Sequence, residues 1–317
     1  MKPGWIRANS VTRALEIIGD RWIIMMLQQA FVGVRRFEDF QRALGIARST
    51  LTSRLRHLVA HGLLERQPYD AHPRRHEYRL TAMGRDLFAT ALMAEAWQHR
   101  WAAPPDHLQV LVHRDCGQVT RPQLVCGECR GPLAARDVSY ADGPGASWVQ
   151  RAARRRRRSS LETAAPPRVP VSPDLLELLG DRWTPQVAAV GFFGVRRFED
   201  MRSSLRLATN ILAHRLRRLV EIGVFRTELY QQRPARWQYR LTDKGLALYP
   251  MLIALMAWGD RWCAAPEGPP LLLTHLPCGA PVVPELVCDD CGGHVTPDNI
   301  RPRRKRAGDP REGPASS

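Results

Sequence analysis

Ala47-Arg48-Ser49-Thr50-Leu51-Thr52-Ser53-Arg54-Leu55-Arg56-His57-Leu58-Val59 is the stretch whose reading decides the fold. Leu51, Leu55, Leu58 and Val59 recur at helical spacing and share one face. Arg48, Ser49, Thr52, Ser53 and Arg56 share the other, and Gly62 lies where the helix should stop. Upstream, Phe37, Phe40 and Leu44 predict a short helix closed by Gly45. Further upstream, Ser10 is placed to cap a first helix, along which Val11, Ala14, Leu15, Ile18, Trp22, Met25 and Met26 recur. Downstream, 63–66 and 76–80 alternate like two short strands, and Tyr69 to Arg75 has turn chemistry. Thr81 can cap a last helix reaching Trp101, with Leu87, Phe88, Leu92 and Trp97 as its apolar stripe. Three helices, a two-stranded wing and a closing helix make a winged helix-turn-helix, mainly α within an α+β class.

The pattern occurs twice. At a shift of 161 residues, Gly19-Asp20-Arg21-Trp22 falls on Gly180-Asp181-Arg182-Trp183, and the run Gly33 to Asp39 on the identical Gly194 to Asp200. Arg54-Leu55-Arg56 falls on Arg215-Leu216-Arg217, and Tyr78 to Thr81 on Tyr239 to Thr242. After one inserted residue, His113, Cys116, Cys126 and Cys129 fall on His275, Cys278, Cys288 and Cys291. The expected organisation is a winged helix over 1–103, a zinc-ribbon-like module over 104–135 and a basic flexible linker over 136–171. A second winged helix over 172–265, a second module over 266–300 and a basic disordered tail over 301–317 complete it.

The net charge of +16 points toward a polyanion, but six of those charges fall in 151–160 and four in 301–317, so position carries more than total. A helix can enter the major groove when one face packs on its own domain and the other presents donors. The first half offers Arg48, Ser49, Thr50, Thr52, Ser53 and Arg56 for this, and the second Thr209, Asn210, His214, Arg217 and Arg218. Arg35-Arg36 and Arg196-Arg197 stand at helix starts, the positive end of the backbone dipole, where local stability disfavours cations. Backbone N–H groups and guanidinium together grip phosphate there; local neutralisation by Glu38 and Asp39 is the competing reading. Arg74, Arg75, Arg233 and Arg236 at the wings can reach a backbone or minor groove, or simply be solvated.

These motifs, with Gly62-Leu63-Leu64-Glu65-Arg66 and the Trp-bearing last helix, resemble the HxlR-type winged-helix regulators over roughly 9–102 and 172–263. The resemblance implies bacterial transcriptional regulation and dimers formed through the first and last helices. It also implies thiol sensing by a Cys near the start of the first helix, but neither 10–14 nor 171–175 contains one. With two domains in one chain, the halves are expected to pair as an intramolecular pseudo-dimer on double-stranded DNA, with two unlike half-sites. Further homodimerisation is left open.

The chain has seven Cys, six of them in His-x2-Cys-x9-Cys-x2-Cys, a spacing that suits a closed tetrahedral zinc site. The expected ligands are His113, Cys116, Cys126 and Cys129 in one half, and His275, Cys278, Cys288 and Cys291 in the other. Two structural zinc ions per chain follow, with Asp115, Glu128 or His294 as substitute ligands. Cys263 has no counterpart and reads as a small buried hydrophobe. MKPGWIRANS lacks the apolar core of a signal peptide, and Pro250 interrupts the longest apolar run; both fit a cytoplasmic protein rather than a membrane partner. No phosphate-binding loop, dinucleotide fingerprint or His-Glu-x-x-His occurs, which argues against an enzyme. A zinc-containing RNA-binding or protein-interaction adaptor is the alternative, and a thiol-redox protein a weaker one.

Overall fold

The computed structural model describes residues 5–7, 9–68, 76–101, 109–150, 171–181 and 183–304. The first half builds α1 (Ser10–Ile18), α2 (Arg21–Phe31), α3 (Phe37–Leu44) and α4 (Arg48–Ala60). The wing strands β2 (Leu64–Pro68) and β3 (His76–Leu80) follow, then α5 (Ala82–Arg85) and α6 (Phe88–Trp101). The second half repeats this order as α7 (Pro173–Leu179), α8 (Thr184–Phe192), α9 (Phe198–Leu205), α10 (Thr209–Glu221), β9 (Phe225–Gln231), β10 (Arg236–Leu241), α11 (Asp243–Leu246) and α12 (Tyr249–Trp262).

The first predicted helix is in fact two. Gly19 and Asp20 interrupt it, and the Asp20 carboxylate caps α2 by accepting from the amides of Trp22 and Ile23 at 3.0 and 3.3 Å. Asp181 does the same for Trp183 and Thr184 in the second half. The cap of α1 is Asn9, which accepts from the Thr12 amide at 2.6 Å, rather than Ser10. Ser10 instead hydrogen-bonds Asp260 of the other half. The last helix also divides: Thr81 caps the single turn of α5, and α6 begins after it. Gly45 and Gly62 take left-handed conformations, φ 61° and 74°, where α3 and α4 end.

The halves interlock. Trp258, Leu252 and Leu255 of α12 share one core with Val11, Leu15 and Ile18 of α1. Leu92, Met93 and Trp97 of α6 share the other with Leu175, Leu178 and Leu179 of α7. The relation is reciprocal: the Trp97 indole donates to the Lys244 carbonyl and the Trp258 indole to the Met83 carbonyl, each at 2.9 Å. Each pair is the other displaced by one repeat, the isologous pattern of a two-fold interface. Gly259 permits the closest approach, since a Cβ there would lie 2.5 Å from the Ser10 carbonyl oxygen. Gly259→Ala is therefore expected to separate α1 from α12 and cost about 1–3 kcal/mol, read as a lower calorimetric melting temperature.

Beyond the winged helices lie β4 (Gln109–His113), β5 (Val119–Thr120), β6 (Gln123–Cys126), a short 3-10 turn (Ala135–Asp137), β7 (Val138–Asp142) and β8 (Trp148–Gln150). The second half supplies β11 (Leu271–His275), β12 (Pro284–Val287) and β13 (Ile300–Arg304). They pair across the repeat: β7 with β11, β6 with β12, and β13 with β4, all antiparallel. β8 returns to β1 (Trp5–Arg7) at the start of the chain. The expected linker therefore begins as ordered strand, because Val138 to Asp142 has a partner in the other half. The expected tail likewise begins in β13. Arg154 to Arg158, residues 69–75 with Arg74 and Arg75, and 305–317 lie outside the described residues.

Candidate nucleic-acid interface and metal centres

Leu51, Leu55 and Leu58 seat α4 on its domain, and Leu212, Leu216 and Leu219 seat α10. Val59, expected on the same face, is exposed, because its position lies beyond the edge of the contact. Arg48, Ser49 and Arg56 are exposed; Thr50, Thr52 and Ser53 are half-exposed. Thr52 donates back to the Arg48 carbonyl at 2.8 Å, within its own helix. On α10, Thr209, Asn210, His214 and Arg217 are exposed. Arg218 differs: its guanidinium pairs with Glu221 and lies 3.4 Å from Glu177.

The role of Arg54 was not legible in sequence. It points inward and grips Asp20 with two hydrogen bonds, Nε to Oδ1 at 3.0 Å and Nη2 to Oδ2 at 2.6 Å. Arg215 reaches Asp181 at 2.7 Å in the second half. One carboxylate thus starts α2 and fixes the angle of α4 against it. That geometry explains why Gly-Asp-Arg-Trp and Arg-Leu-Arg travel together.

Arg35 and Arg36 sit where α3 begins, and both are exposed. Their backbone is tied to the wing: the Tyr78 amide donates to the Arg35 carbonyl, and the Tyr239 amide to Arg196, both at 2.8 Å. The first-turn acids are engaged further along, Asp39 with Arg42 at 3.0 Å and Glu199 with Arg202 at 2.7 Å. Arg48 lies over the Phe37 ring and Arg197 over Tyr230, at 5.0 and 4.8 Å from the centroids. Arg233 and Arg236 are exposed at the second wing's turn.

The eight Cys and His residues do form two four-donor clusters, but not within each half. His113 and Cys116 meet Cys288 and Cys291, while Cys126 and Cys129 meet His275 and Cys278. The identical spacing in both halves makes the two pairings equivalent in sequence; the exchanged strands decide between them. Donors about 2.3 Å (sulfur) and 2.1 Å (nitrogen) from a central ion stand roughly 3.5–3.8 Å apart in a tetrahedron. Here Cys116 and Cys288 are 3.9 Å apart, as are Cys126 and Cys278. His113 Nδ1 lies 3.4 Å from the sulfurs of Cys116 and Cys291. His275 Nδ1 lies 3.3 Å from those of Cys129 and Cys278. The donor set fits a tetrahedral thiophilic ion. Asp115, Glu128 and His294 are not part of either set.

The surroundings lower the thiols of Cys126 and Cys288 and raise those of Cys116 and Cys278. Burial opposes ionisation of Cys288, but hydrogen bonds from Thr120 and from the Cys291 and Asp290 amides bring its thiol down to about 7. Gly117 and Gly292 make the left-handed knuckle turns, φ 75° and 68°. Gly131 and Gly293 were missed in sequence: a Cβ on either would sit 3.3 Å from a ligand sulfur and 3.3 Å from a ligand imidazole. The two clusters differ behind their imidazoles. His113 Nε2 faces Asp115 at 3.3 Å and Asn299 at 3.2 Å, whereas His275 Nε2 is buried without a partner among the described residues. Cys263 joins neither cluster and is half-buried rather than buried; burial raises its thiol pKa.

Fold and site together define a winged helix-turn-helix regulator duplicated within one chain and cross-linked through its Cys/His modules. The chain belongs to the HxlR-like helix-turn-helix family, which it matches over residues 17–106 and again over 178–267. It is a DNA-binding transcriptional regulator of that family. It is 47% identical over 138 residues to the uncharacterized HTH-type transcriptional regulator Rv3095 of Mycobacterium tuberculosis, covering 43% of this chain and 87% of that protein. It is 30% identical over 87 residues to the HTH-type transcriptional regulator YodB of Bacillus subtilis, covering 27% of this chain and 78% of that one. Among solved structures, PA1607 is 40% identical, covering 39% of this chain and 87% of its own, with a TM-score of 0.35. The reduced form of YodB from B. subtilis is 28% identical, covering 29% and 94%, with a TM-score of 0.27. Among the described residues no helix is long and apolar enough to cross a membrane.

Proposed function

We propose that one chain represses transcription by laying both winged helices on a single operator, as an intramolecular pseudo-dimer in the bacterial cytoplasm. The observation that carries this is the reciprocal packing of α6 and α12, with its paired Trp97 and Trp258 hydrogen bonds. Single-domain relatives would need a second subunit for such packing; here the other half supplies it, so no second copy is required.

α4 reads one half-site with Arg48, Ser49, Thr50, Thr52, Ser53 and Arg56. α10 reads the other with Thr209, Asn210, His214 and Arg217. The ridges differ, so the half-sites differ. Arg and Asn make bidentate contacts to guanine and adenine, respectively. Arg35, Arg36, Arg196 and Arg197 hold phosphates, with Arg233 and Arg236 of the second wing as further backbone contacts and Arg74 and Arg75 assigned the same part from sequence. Arg218 is left out, because Glu177 and Glu221 already occupy it.

Zinc is the ion we assign to both clusters, two per chain. It supplies four-coordinate cross-linking and no chemistry, since each shell is complete. Asp115 lies 3.3 Å from His113 Nε2, on the far side of the ring from the Nδ1 that would hold the ion.

Footprinting and salt titration test the reading. An asymmetric footprint at one chain per operator is expected, with a steep salt slope. Arg36→Ala should weaken binding to every sequence alike and lower the slope by about one, whereas Asn210→Ala should cost about 1–3 kcal/mol and relax preference at one half-site only. A perfect palindrome holding two chains contradicts the pseudo-dimer, and unchanged affinity in Arg36→Ala contradicts the phosphate contact.

A further inference from the structure

A cavity of about 110 Å³ lies where α8, α12, β7 and β11 meet the start of α1. Val190, Phe192, Leu252, Ile253 and Met256 give it an apolar wall. A largely apolar space of this order accepts a single aromatic ring. At its mouth Tyr140 and Phe193 stack edge to face at 4.6 Å, both substantially exposed.

Two observations make this more than a packing defect. The first is Tyr249, which lines the cavity and is only 9% exposed. Its ring packs on Phe192, 5.2 Å between centroids, yet among the described residues its hydroxyl has no hydrogen-bond partner. Water reaches that hydroxyl, and a ligand oxygen can take the water's place. Burial pushes its pKa up to about 12, so it remains a donor at neutral pH.

The second is the other repeat. One repeat earlier, Ala189, Val190, Leu252 and Met256 correspond to Gln28, Gln29, Ala91 and Glu95. The first half carries polar or smaller residues at these four positions, whereas at Gln186 the relation is reversed, with Met25 one repeat earlier. The general fold therefore does not demand this lining. Tyr140 sits on β7, whose counterpart β13 has Pro302 at that position.

We propose that this cavity is a binding site for a small monocyclic aromatic bearing one hydrogen-bonding oxygen, a phenol being the simplest case. The ring fills the space between Val190, Leu252 and Met256, and its oxygen accepts from the Tyr249 hydroxyl. The site is independent of how the chain meets DNA.

The test uses the full metal-loaded chain and two probes, 4-fluorophenol and fluorobenzene, observed by fluorine NMR, with the methionine methyls labelled. One saturable site per chain is expected for 4-fluorophenol, with a dissociation constant of about 1 mM or tighter. The Met256 methyl resonance should move with the same saturation curve. Tyr249→Phe should weaken 4-fluorophenol about tenfold while leaving fluorobenzene unchanged. Val190→Gln with Met256→Glu, which writes in residues the first half carries, should abolish binding of both. Three results would overturn the site: no saturation up to the solubility limit, saturation without movement of Met256, or undiminished binding in the double variant. The Met256 signal needs no variant, so a misfolded substitution does not blunt the test.

Discussion

A chain carrying both Cys116→Ser and Cys288→Ser is expected to keep one of the two zinc ions proposed for it, and a chain carrying Cys116→Ser and Cys126→Ser to keep none. The reason is the exchanged ligand sets. Cys116 and Cys288 belong to one cluster, so removing both damages one site only. Cys116 and Cys126 are neighbours in sequence but belong to different clusters. Three remaining donors hold zinc far more weakly than a complete structural shell, whose binding free energy is on the order of 10 kcal/mol. Metal analysis after gel filtration reads the difference directly. Pairing within each half reverses the two outcomes, so the experiment decides between pairings that local spacing leaves equal. Both variants should also melt lower than the parent chain, the second by more, because each site joins strands from the two repeats.

Asp20→Ala is expected to destabilise the first half by about 3 kcal/mol. Three contacts disappear together: the cap on α2, and both hydrogen bonds that hold Arg54. The Arg54 side chain is only 19% exposed, so its charge would be left poorly solvated and unpaired. Asp20→Asn should fall between, since an amide oxygen still caps the helix but lacks the charge. By contrast, Arg48→Ala on the exposed ridge should change stability by no more than about 0.5 kcal/mol. Urea unfolding of the three variants gives the ordering. If Asp20→Ala matches the parent chain, the carboxylate does not hold the two helices together. If it is destabilised, residual DNA affinity should fall at the half-site facing α4, because the helix has lost the contact that sets its angle.

Much of the fold could be read from residue pattern because its determinants are local. The spacing of Leu51, Leu55 and Leu58, the glycines at 45 and 62, and the alternation before Thr81 each act within a few residues. The duplication was visible as identity at a fixed offset. What escaped were features set by partners distant in sequence. Asn9 rather than Ser10 caps α1 because Ser10 is drawn to Asp260, which is 250 positions away. Arg54 resembles the other bases of its helix until Asp20 is seen beneath it. Val138 to Asp142 lacks the apolar content of an independent strand and is ordered only by pairing with β11. The ligand pairing shows the limit most clearly: eight donors were identifiable from their types and intervals, but symmetry between the repeats erased the information about which four meet. Arg74, Arg75 and the run Arg154 to Arg158 lie outside the described residues, and their place on DNA is a matter for the footprint.

The crossed strands carry a consequence for biosynthesis. When the ribosome has released only the first repeat, the nascent chain holds two donors for each centre and can close neither. Helices α1 and α6 at that stage also lack the hydrophobic partners that α7 and α12 later bring. Maturation must therefore wait until Cys291 has been made, and a product terminated before it would expose bare thiols and an unfilled apolar seam, marks by which proteolytic surveillance could remove it before it competed for an operator.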